Sequence, residues 1–206
     1  MRQLWCWLLV AALAPASAAL AQRGDLIERT LAIVGSQVIT LSDARAAIRL
    51  GLVEADRAAD PVTVTQLLVD RELILREVQR YAPPAPSEST VDARMEEMGK
   101  RLPAAELTRA LEENGFTNAR LRAWVRDDLR SVAYLAQRFA SASTPTDTEI
   151  SLAFAQQRAE FERAGTTFEQ AVPVLRDRLI AVRRRELIAD WVSDLRRRTD
   201  VVILPQ

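Results

Sequence analysis

Histidine is missing from all 206 residues, and cysteine occurs once, at Cys6. Without histidine there is no Ser-His-Asp or Cys-His catalytic site and no imidazole metal ligand. Glycine is scarce, at 6, and aromatics number 5 Phe, 4 Trp and 2 Tyr. Large all-β folds depend on β-branched and aromatic strands joined by many tight turns, so this composition argues against one. An excess of one charge is lacking too: 28 Lys+Arg stand against 28 Asp+Glu. A dedicated nucleic-acid binder carries a clear basic excess, and none is present. Lysine itself is nearly absent, with Lys100 alone among those basic residues. What is abundant is apolar (49%) and charged (27%) residues, the balance of a globular chain. The expectation is a mainly α protein with no cofactor, no metal and no catalytic residue of the common kinds.

The longest apolar run, Leu4 to Ala14, is too short to span a bilayer, which needs about 20 such residues. It follows Arg2, is broken by Pro15, and leads into small residues, the pattern of an export signal. Ala19-Leu20-Ala21 gives the small-x-small site, so cleavage is expected before Gln22, with Ala16-Ser17-Ala18 as a second possible site. Residues 1–21 are read as a signal peptide and the location as periplasmic. Cleavage removes Cys6 and leaves 27 basic and 28 acidic residues. Such a chain relies on its core and not on disulfides, with no stable membrane insertion once the signal is gone.

Along 22–206 the patterns predict a hairpin (30–40), a helical region (43–162), and a C-terminal helix and strand (168–204). Leu31 to Val34 and Val38 to Thr40 flank Gly35-Ser36-Gln37, a hairpin signal. Ser42 is expected to cap a helix from Asp43 to about Leu52. Val64, Leu67, Leu68, Ile74, Leu75, Val78 and Tyr81 recur at helical spacing, with Glu72 and Arg76 as an i,i+4 pair on the polar side. Prolines between Tyr81 and Pro86 read as a stiff connector. Helices are predicted from about Ser89, from Pro103 to an Asn114-Gly115 cap, and from Asn118 to about Phe139. Thr146-Asp147-Thr148-Glu149 is a capping box, and its helix carries Ile150, Phe154 and Phe161. The last helix runs from Phe168 to about Arg198, and Pro173 predicts a kink or a separate first turn. Val201 to Leu204 reads as a strand that needs a sheet, and the only other strands lie near residue 30. The two chain ends are therefore expected to meet.

In this order, IVGSQVIT followed by Ser-Asp, LLVDRELILREVQRY, PTDTEISLAFAQQRAEF and FEQAVPVLRDRLIAVRRRELIADWVSDLRRRTDVVIL resemble the core of SurA-type periplasmic chaperones. The resemblance covers nearly all of the chain after residue 21. In isomerase-bearing relatives a parvulin domain of roughly a hundred residues separates the last two segments. Only Arg163 to Thr167 separates them here, so the resemblance implies a core lacking that domain, and no isomerase residue is carried over. It also implies ATP-independent binding of unfolded or partly folded polypeptides, with outer-membrane proteins as the natural clients.

Met95, Met98 and Leu102 form the candidate client-binding stripe, since methionines repack easily against varied partners; the alternative is core filler. Trp124 and Trp191 sit on apolar stripes and are assigned to the core. Asp127-Asp128 and Glu96-Glu97 diverge by about 100° as helical neighbours and read as solvated. The arginine runs 183–185 and 196–198 read as a solvated face interleaved with Asp177, Glu186, Asp190 and Asp194. Two other functional classes stay open: an isomerase relative whose catalytic domain is lost or supplied by a partner, and an envelope scaffold with one folded partner.

Overall fold

The computed structural model describes residues 28–56 and 58–205, so the expected signal peptide and its Ala19 and Ala21 site lie outside the described residues. Within them are eight helices and one small sheet, the mainly α fold with a three-stranded sheet that the patterning predicts. Strands β1 (Thr30–Val34) and β2 (Gln37–Thr40) form the hairpin. Gly35, at φ +59°, takes the left-handed first position of the two-residue turn, where a side chain is strained. The pairing runs Val34 with Gln37, Ile33 with Val38 and Ala32 with Ile39, then slips at a bulge before Thr30 with Thr40.

The last strand, β3 (Val201–Ile203), returns antiparallel to β1, giving the order β2-β1-β3. The expected meeting of the chain ends is therefore present. Gly35 N–H donates to Asp200 at 2.8 Å and Leu204 N–H to Leu31 at 3.0 Å, extending the ladder beyond the strand.

Helix α1 (Leu41–Arg49) starts earlier than the sequence predicts, and its cap is Thr40 and not Ser42. Thr40 has extended backbone at the end of β2, so its hydroxyl accepts from the Asp43 N–H while the Asp43 carboxylate accepts from the Thr40 N–H at 3.0 Å. Ser42 instead donates through its N–H and hydroxyl to Glu28. Helix α2 (Thr65–Tyr81) packs on the sheet, and Ala82 ends it in the left-handed conformation. The proline connector follows. It is not a free joint, because Arg130 donates to the Pro83 carbonyl at 3.1 Å and Tyr81 stacks on Tyr134.

Helices α3 (Glu88–Arg101), α4 (Ala104–Glu113) and α5 (Asn118–Arg138) follow as predicted to within a residue or two. The segment expected as one helix after Thr146 is two, α6 (Asp147–Gln156) and α7 (Arg158–Arg163), broken at Gln157. The Thr146–Glu149 capping box is formed. Helix α8 (Phe168–Arg198) is continuous through Pro173, so the residues ahead of the proline do not form a separate turn. A second capping box, Thr167 with Gln170, fixes the turn ahead of the proline.

Three cores result. The first joins the sheet to α1, α2 and the C-terminal half of α8, around Leu31, Val34, Val69, Leu73 and Trp191. The second joins α3, α4 and the N-terminal half of α5. The third, around Ile150 and Leu175, joins α6 to the start of α8. From Leu175 to Trp191 is about 24 Å along the helix, so α8 is the strut between two of these cores. In the arginine runs Arg185, Arg197 and Arg198 are exposed and Arg197 pairs with Asp194, as a solvated face predicts, whereas Arg196 pairs with Asp70 of α2 and Arg183 with Glu149 of α6. No helix among the described residues is long and apolar enough to cross a membrane.

Candidate functional site

Met98 and Leu102 lie 7% and 5% exposed inside the second core, with Met95 half-buried against it. Leu102 caps α3 with extended backbone, which turns its side chain in against α4 and α5. The candidate client stripe is thus core, because α5 packs along α3 and the second core takes up the face that an isolated α3 would present.

The concave surface lies elsewhere. One face of α2, from Leu68 through Arg71, Glu72, Leu75 and Arg76 to Arg80, floors an open groove of about 710 Å³. Strand β2 forms one wall, with Ser36 to Ile39, and α5 the other, with Arg120, Ala123, Trp124 and Asp127. The rise from Leu68 to Arg80 gives the floor a length of about 18 Å. That accommodates about five residues of extended chain at ~3.3 Å each.

Among the described residues the β2 wall is an open edge. In a two-residue hairpin the closing pair Val34–Gln37 is the hydrogen-bonded one, so Ile33–Val38 is not, and the Val38 N–H and C=O point away from β1. The Gln37 side-chain amide donates to that carbonyl at 3.4 Å. The Val38 side chain is 42% exposed and lies in a row with Ile33 and Val202 (44%) across the outer face of the sheet.

The α5 wall is held by an ion pair that links helices. Arg71 Nε donates to Asp128 at 2.9 Å, and its guanidinium lies 3.6 Å from the Trp124 ring centre. Trp124 is half-buried: it packs against the first two cores, as its apolar stripe predicts, and also lines the groove. Burial pushes the Asp128 carboxyl up, and the Arg71 charge opposes the rise. Asp128 is therefore paired rather than free, though its side chain stays 40% exposed, and its neighbour Asp127 lines the open groove. Glu96 and Glu97 do sit at the surface, paired with Lys100, Arg94 and Arg101.

Arg120 closes one end of the groove by pairing with Asp43. The expected Glu72–Arg76 pair is not formed: Arg76 reaches over Gly35 and donates to the Val34 carbonyl at 3.4 Å. Burial raises the Glu72 carboxyl above its ordinary range. Arg71 and Arg76 counter this, and Asp127 adds to it.

The groove is not legible in the periodicity because polar residues of α2 and α5 line it beside Leu68, Leu75 and Trp124 of their apolar stripes. The available signal was the mixed spacing of Arg71, Glu72, Arg76 and Leu75, which is neither a clean apolar stripe nor a clean charged face. Among the described residues no group of three or more metal-ligating side chains converges. No protein-family model matches the chain, and no curated protein matches it.

Proposed function

We propose that this chain is a non-enzymatic chaperone of the SurA type, which binds unfolded or partly folded polypeptides in the periplasm without ATP. Outer-membrane proteins are the client class the resemblance implies. The observation that carries the reading is the open groove between β2, α2 and α5. Its length suits a short extended segment, Val38 offers main-chain groups at a strand edge, and the half-buried Trp124 adds apolar surface among charges. An extended chain that adds to an edge gains hydrogen bonds independent of its sequence, which suits a binder of many clients. Binding of this kind lowers the free concentration of aggregation-prone chain and needs no reactive group.

The fold agrees with the resemblance at two further points. The C-terminal strand closes onto the N-terminal hairpin, and a short turn, with Gly165 at φ +65°, joins α7 to α8 where relatives carry a domain.

Light scattering from an unfolded outer-membrane protein, with and without the full chain, tests the function. Suppression that rises with chaperone concentration and needs no ATP is expected. A photo-crosslinking residue at Gln79, in the groove, should capture the client, whereas one at Glu106 of α4 should not. Unchanged scattering at every concentration overturns the reading. Acceleration of a proline-limited refolding phase at substoichiometric protein replaces it with the isomerase alternative.

A further inference from the structure

We propose that the groove prefers extended segments bearing a lysine or arginine, whose cation seats between Glu72 of α2 and Asp127 of α5. This rests on the polypeptide-binding reading above and specifies its ligand. Four arginines line the groove, so an acidic ligand is the obvious first expectation. Their partners argue otherwise. Arg120 is neutralised by Asp43 and Arg71 by Asp128, so neither offers a free charge. Arg76 is drawn over the β1–β2 turn to the Val34 carbonyl, and Arg80 stands at the outer end, near Glu77 and largely in solvent.

The acids show the opposite pattern. Among the described residues neither Glu72 nor Asp127 is in an ion pair, and both line the groove, Glu72 from its floor and Asp127 from its α5 wall, with the Asp127 charge felt at Glu72. The Glu72 carboxyl is already partly withdrawn from water, and its neighbouring arginines do not fully offset that cost. A ligand cation placed between the two acids supplies the missing countercharge. The strand edge at Val38 positions it, since an added strand directs alternate side chains toward α2.

Fluorescence anisotropy with the full chain and two labelled peptides tests this. Each peptide is about nine residues of alternating valine and threonine, with a central arginine in one and a central glutamine in the other. The arginine peptide should bind about fivefold to tenfold more tightly in low salt, the range of a partly desolvated ion pair. Asp127→Asn should cut that preference by about half its logarithm, and Glu72→Gln with Asp127→Asn should bring the two peptides within about twofold. Glu96→Gln, on α3 and outside the groove, should retain the full preference. Thermal melts of each variant establish folding, and Asp127→Asn alone serves if the double variant does not fold.

Equal binding of both peptides by the wild type overturns the charge preference while leaving the groove reading intact. Tighter binding of a third labelled peptide, with a central glutamate, overturns it in favour of the arginines. No saturable binding of any peptide removes the groove reading as well. A dimer in sedimentation velocity that dissociates as peptide binds assigns the groove to a second copy of the chain and overturns the proposal.

Discussion

Single side chains in this protein take their roles from what lies across from them. Met98 is the clearest case: a flexible apolar residue on a short helix becomes core once α4 and α5 close over it. Changing Met95, Met98 and Leu102 together to serine should therefore abolish the cooperative thermal melt. Each of the two fully buried positions costs roughly 2–5 kcal/mol on loss of its apolar volume, against a total stability of about 5–15. A variant that melts like the wild type would place these side chains at the surface. Arg71 works by another route, holding α2 to α5 through Asp128 and covering Trp124. Arg71→Met should destabilise by about 1–2 kcal/mol, because a half-buried carboxylate loses its countercharge. Urea denaturation measures this, and Arg71→Met with Asp128→Leu should recover part of the loss.

At the scale of elements, ends and caps decide where the chain turns. The Glu149 carboxylate accepts from the Thr146 N–H and pairs with Arg183 of α8, and these bonds pull its carboxyl down to about 2. A carboxyl lowered on folding stabilises the fold above its ordinary range, near 4.5, and that contribution disappears as pH falls toward 2. Glu149→Gln should accordingly melt below the wild type at pH 7, and the two melting temperatures should converge toward pH 2. A gap of constant size across that range would show that the charge plays no part. Strand β3 is the other decisive element. Deleting residues 200–206 exposes the edge of β1 and removes the ladder from Asp200 to Leu204, so melting should fall well beyond the fraying of a free tail.

Across the whole molecule, α8 carries the connectivity. Its C-terminal half is built into the sheet core through Trp191, Val192 and Leu195, and its N-terminal half holds only α6 and α7. The small third core buries few large side chains, so it should open locally at lower free energy than the sheet. Hydrogen exchange should find the amides of α6 and α7 exchanging faster than those of β1 and α2. Equal protection in both regions would mean that the strut transmits full cooperativity.

The linear pattern by itself determined most of the elements, since hairpins, helix stripes and caps are set by residues within a few positions of one another. Gly35, the Thr146–Glu149 box and the Asn114–Gly115 stop are all local, and all are where the sequence places them. The return of Val201–Ile203 to the hairpin was legible too, because a strand without a sheet has no other partner in this chain. Helix starts were less so: Thr40 displaced Ser42 because the end of β2 gave it the extended backbone a cap requires. Only the tertiary structure decided which amphipathic faces are covered. Packing of the second core buried Met98, the α2–α5 crossing turned Arg71, Trp124 and Asp128 into a wall, and the hairpin drew Arg76 away from Glu72. Burial and pairing of this kind depend on residues tens of positions apart, and no periodicity records them.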